Sequence, residues 1–122
     1  MSHNLTVHEK EGYISVVTEG QLLINELTSI GEEFVAKEQK TGLRRVLIDI
    51  RKARLRVGII DAFTYTSKSK IPILQGEKNA ILVNPKSPDL FKVKLYTMRS
   101  LLCGLHVRKF FDEKEALEWL LL

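Results

Sequence analysis

Apolar residues change their spacing several times along the chain, and each change marks an element. Between Asn4 and Lys10, Leu5 and Val7 alternate with polar neighbours, and Tyr13 to Thr18 is rich in β-branched residues. Two strand-like runs across the short Lys10-Glu11-Gly12 turn predict a β-hairpin. Leu23, Leu27, Ile30, Phe34 and Val35 then recur every three to four positions. Glu26, Glu32, Glu33, Lys37 and Glu38 fall to the solvent side, which predicts an amphipathic helix closed by Thr41-Gly42.

Val46-Leu47-Ile48-Asp49-Ile50 is nearly continuous in apolar residues and bounded by charge, as a strand covered on both faces reads. Gly58 to Ser69 is a weaker helix, with Ile59, Ile60 and Phe63 on one face and Ile71-Pro72 as its break. Asn79 to Asn84 is a second buried-strand run. Ser87 is expected to cap the next helix, with Pro88 in its first turn and Asp89 complementing its dipole. Phe91, Leu95, Met98 and Leu102 are expected to form that helix's inner face, with Leu90, Val93 and Leu101 widening it, Tyr96 at its margin and Gly104 beyond its end. Leu105 to Phe111 reads as a short strand. Asp112 and Glu115 have capping-box spacing before a last helix, whose inner face is Ala116, Leu117, Leu120 and Leu121.

The predicted order is a hairpin followed by strict alternation, β-β-α-β-α-β-α-β-α. Right-handed crossovers make the alternating strands parallel neighbours, so the expected fold is α/β, a mixed and mainly parallel five-stranded sheet with four helices. At 122 residues, with 44% hydrophobic and 28% charged positions, the chain has the size and balance of one ordinary domain, expected to span 1–122.

The single cysteine, Cys103, excludes an intrachain disulfide framework and a multi-cysteine zinc site. It reads as a small buried hydrophobe, with Arg99 one turn away as the only hint of reactivity. No apolar stretch approaches the roughly 18–20 residues of a membrane-spanning helix. The beginning lacks the charged and apolar regions of a secretory signal, and a cytoplasmic location is expected. A net charge of +4 is mildly basic, and no aromatic residues interleave with the basic run, so specific nucleic-acid binding is not expected.

Three segments resemble the STAS-like superfamily, in particular the SpoIIAA-like bacterial proteins related to the CRAL-TRIO lipid-transfer domains. They are Val46-Leu47-Ile48-Asp49-Ile50-Arg51, Gly104-Leu105-His106-Val107-Arg108-Lys109-Phe110-Phe111, and Asp112-Glu113-Lys114-Glu115-Ala116-Leu117-Glu118-Trp119-Leu120. The resemblance implies an α/β sandwich with helices largely on one side, and no single activity. Its anti-anti-sigma members are switched by phosphorylation of a serine. In this chain the corresponding stretch is Val57-Gly58-Ile59-Ile60, which has no hydroxyl, so that switch is not expected.

The expected role is a non-enzymatic regulatory or binding domain, with no cofactor and no metal ligands. Its partner protein or small anionic ligand would meet Asp49, Arg51, Arg54, Arg56, Gly58, Phe63, Asn84 and Lys86. These residues are expected near the carboxyl ends of parallel strands, where sites gather, and beside a helix N-terminus that favours anions. For Asp49 the reading as a residue that caps the following loop or pairs with Arg51 is favoured over ligand contact. The alternative role is a small carrier of lipid or another hydrophobic ligand, with a pocket lined by residues such as Phe63, Leu90 and Tyr96. A catalytic set of Ser67, His106 and Asp49 has no nucleophile-elbow motif behind it. The apolar end Trp119-Leu120-Leu121-Leu122 reads either as a self-association surface of a homodimer or as a cover for the sheet edge.

Overall fold

A computed structural model describes residues 2–68 and 74–122. In chain order the elements are β1 (Ser2–His8), β2 (Tyr13–Leu22), α1 (Ile24–Thr41), β3 (Arg45–Leu55), α2 (Ile59–Lys68), β4 (Lys78–Leu82), α3 (Leu90–Leu102), β5 (His106–Phe110) and α4 (Glu113–Leu120). The expected break at Ile71-Pro72 lies outside the described residues. Gly12 closes the hairpin at φ 89°, a conformation open to glycine, and its N–H donates to the His8 carbonyl at 2.8 Å.

The strands lie in space in the order β1-β2-β3-β4-β5. β1 is antiparallel to β2, and every later pair is parallel. Each crossover therefore steps to the next position on the same side. Right-handed connections of that kind place their helices on one face. Ile30 and Phe34 of α1 and Val93 of α3 accordingly share a core with Ile14, Val16, Val46, Ile50, Ile81 and Val107. α4 follows the last strand and returns across the opposite face, where Ala116 and Leu120 pack on Leu47, Ala80, Leu82 and Phe110.

β3 is longer than its apolar run. Its pairing with β2 shifts between Val17↔Asp49 and Glu19↔Lys52, so β3 carries one extra residue there. Arg51 and Lys52 are consecutively exposed, and Ala53 and Leu55 then return to the core that holds Ile50. The bulge re-phases the strand so that eleven residues keep one inner face. Arg51 to Arg54 are consequently strand residues, beyond the apolar run Val46 to Ile50 from which the strand was read.

β4 pairs with β3 only as far as Asp49↔Leu82. Past that point Asp89 and Lys92, at the start of α3, supply partners for Leu55. Asp89 accepts from the Leu55 N–H at 2.8 Å, and Lys92 Nζ donates to the Leu55 carbonyl at 3.1 Å. Asp89, not Ser87, is the residue before the helix, and its carboxylate serves β3 instead of capping α3. The Ser87 hydroxyl accepts from the Asp89 N–H at 3.1 Å.

The inner face of α3 also differs from the expected one. Val93 and Ser100 are its buried residues, whereas Phe91, Met98 and Leu102 face solvent, Leu102 at 77% exposure. The helix is apolar on most sides, so spacing does not select a face. Close approach to α2 does: the Ser100 and Thr66 hydroxyls meet at 2.5 Å, which requires small side chains at the crossing. On α4, Asp112 accepts from the Glu115 N–H at 3.1 Å as its spacing predicts. Leu121, expected to point inward, is 41% exposed.

Candidate functional site

The face covered by α1, α2 and α3 is not filled. A cavity of about 190 Å³ lies between these helices and the sheet. Most of its wall is apolar, including Leu27, Ile30, Phe34, Val46, Ile48 and Ile81. Polar side chains enter it in two ways. Some are engaged within the protein: the Thr18 hydroxyl donates to the Asp49 carbonyl at 3.0 Å, and Tyr65 meets Thr28 at 3.3 Å. Thr66 is held by Ser100, and Lys92 by Leu55. Tyr96 is hydrogen-bonded with Ser100 and Thr66, and burial pushes its phenol up.

Glu38, Glu77 and Asn79 are different. Glu38 continues the Ile30–Phe34 row of α1 and is 1% exposed. Burial, with the neighbouring Glu77 carboxyl second, pushes its carboxyl up to about 8, against the lowering influence of Arg44. Burial likewise raises Glu77, whose carboxylate accepts from the Leu74 N–H at 3.3 Å. One proton held on Glu38 and directed at Glu77 keeps two buried carboxyls from both being charged. Asn79, at the start of β4 and 7% exposed, interacts with Glu77 through its side chain. Glu38 Oε2 and Asn79 Oδ1 are nonetheless buried with no hydrogen-bond partner. Arg44 spends Nη1 on the carbonyls of Glu38 at 2.6 Å and Leu43 at 2.9 Å.

The residues expected to form the site lie on β3, between β3 and α2, on α2 and in the turn after β4. Asp49 and Arg51 lie within β3, where Arg51 holds both oxygens of Asp49 at 3.0 and 2.8 Å. Arg54 pairs with buried Asp89 at 3.1 Å. Gly58 opens α2, its carbonyl accepting from the Ala62 N–H at 2.9 Å. Arg56 follows β3, its N–H donating to the Leu22 carbonyl at 2.8 Å. Asn84 and Lys86 form a turn after β4, the Lys86 N–H donating to Asn84 Oδ1 at 2.9 Å. Phe63 is half-buried against α3, with the Arg99 guanidinium 5.6 Å from its ring centre. Of Phe63, Leu90 and Tyr96, only Tyr96 lines the cavity.

Asp49 and His106 are not neighbours. Asp49 is level with Leu82 and Phe110, two strands away, and His106 lies four residues back along β5. That is roughly 13 Å along the strand alone, beyond proton transfer. His106 instead packs edge-on to Trp119 at 5.4 Å. Trp119 also meets Phe110 and carries Lys78 over its ring, so it covers the outer end of the sheet.

Glu38 and Glu77 were not singled out by their sequence. The four-residue spacing of Ile30, Phe34 and Glu38 is the signal that places Glu38 inward. Among the described residues no group of histidine, cysteine or carboxylate side chains is arranged to hold a metal ion. No described helix is long and apolar enough to cross a membrane. Compared with known proteins, the chain matches no family model and no curated protein.

Proposed function

We propose that the protein is a binding domain that holds a small hydrophobic ligand between its sheet and the helices α1, α2 and α3. The observation that carries this reading is the apolar cavity with buried polar groups at one part of its wall. Ligand sites are commonly concave, mostly apolar and equipped with few polar groups. Its volume suits a single-ring compound or a short chain, not a full lipid. The ion pairs of Arg51 with Asp49 and of Arg54 with Asp89 leave less free charge for an anionic ligand at the rim.

The hairpin, the alternation and the five-stranded mixed sheet are consistent with a STAS-like domain, and we read the chain as one that works without the serine switch. Contact with a partner protein through the start of α2 is a second reading, favoured by Ile59 and Ile60, the latter 73% exposed beside Gly58.

Native mass spectrometry of protein taken directly from its producing cells tests the first reading. Retention of a small organic species, lost in Ala62→Leu, is the expected result, because Ala62 lines the cavity. A bare mass, together with no amide shift at cavity residues on adding toluene, overturns it.

A further inference from the structure

We propose that the cavity takes a small primary amine, its apolar body among Ile30, Phe34, Val46 and Ile81 and its ammonium between the side-chain oxygens of Glu38 and Asn79. This rests on reading the cavity as a ligand site. Glu38 Oε2 and Asn79 Oδ1 both belong to residues that line the cavity, both are buried, and neither has a partner. A buried acceptor without a donor carries a desolvation cost that a bound donor removes.

The hydrogen-bonding demand is specific. Two acceptors on different elements, α1 and β4, are left open. A primary ammonium brings three N–H donors, enough for both oxygens at once, whereas an alcohol brings one.

The charges agree with a cation. Arg44 is the cation that acts on both carboxyls, and burial pushes the Glu38 carboxyl up to about 8. When the ammonium enters, Glu38 gives its proton to solvent, and the site holds two cations and two carboxylates. A carboxylate or phosphate ligand would face two acidic side chains and gain no donor there. Among the described residues, the other charged groups in the wall are Asp61, exposed on α2, and Lys92, engaged with Leu55.

Benzylamine, benzyl alcohol and toluene have similar shapes and differ at the head group, so titrating each into the full chain separates cavity from head group. Benzylamine is expected to bind on the order of ten- to a hundredfold more tightly than the other two. Glu38→Gln and Asn79→Leu are each expected to erase most of that advantage while toluene binding persists, which shows the cavity intact. Equal binding of all three compounds overturns the amine assignment and leaves the cavity reading standing. No binding of any of them overturns both. A benzylamine preference that survives both substitutions overturns the placement at Glu38 and Asn79. The three-compound comparison in the unaltered protein decides the matter even if a variant fails to fold.

Discussion

The two faces of one sheet are packed by different rules. On the α4 face, Ala80, Ala116, Leu82 and Leu120 belong to one core cluster and are completely buried. Arg45 donates to the carbonyls of Leu120 and Leu122, and Lys78 to that of Trp119, so cations close the C-terminal end of the helix. On the other face three helices must share the sheet. Their contacts with each other, such as Thr66 with Ser100, hold α2 and α3 together, and a cavity containing two carboxyls remains beneath. One face is committed to stability, and the other keeps room.

The strongest way to break this contrast is to damage the closed face. Leu120→Ala removes a fully buried side chain where the surroundings are tightly packed. It is expected to cost about 3–4 kcal/mol in denaturant unfolding, with toluene binding on the far face retained by whatever fraction stays folded.

A smaller effect separates the faces by pH. The Glu38 carboxyl sits at about 8 in the folded chain, above the ordinary carboxylate value it regains on unfolding. Between those two values the folded state holds the extra proton. Its stabilising contribution is therefore complete below about pH 4.5 and is lost as pH rises through about 8. Glu77 is raised as well and acts in the same direction, while Arg44 opposes both; Tyr96, pushed above its usual value, does not titrate in this window. Stability is expected to fall across that range, by at most about 1.4 kcal/mol per pH unit. Unfolding curves of Glu38→Gln should show most of this slope removed, and an unchanged slope would assign it elsewhere.

The smallest expected effect is a gain. Ala62→Leu places added carbon atoms in space that is already empty, so it should change stability by less than about 1 kcal/mol, in the stabilising direction. The same substitution at Ala116, which is completely buried and does not line the cavity, should be clearly destabilising. Thermal unfolding of the two variants compares the faces directly.

Much of the framework was legible in the residues. The alternation of strand and helix, the parallel pairing, the inward Ile30 and Phe34, and the Asp112 cap all follow from local spacing and local hydrogen bonding, which the chain carries wherever it goes. The site was legible only in part. Tyr96 was expected at a pocket and is there, whereas Glu38 was assigned to solvent and Asp49 with its arginines to a rim.

Tertiary structure decided the rest because each outcome depends on partners distant in sequence. The inner face of α3 was chosen by where Thr66 lets Ser100 approach, the run of β3 past Asp49 by a bulge against β2, and its end by Asp89 and Lys92. Burial of Glu38 required Glu77, thirty-nine positions later, to share its proton demand and the sheet to pass beneath it. Periodicity reports which side of an element is apolar; the space left between three helices and a sheet is set only when all of them meet.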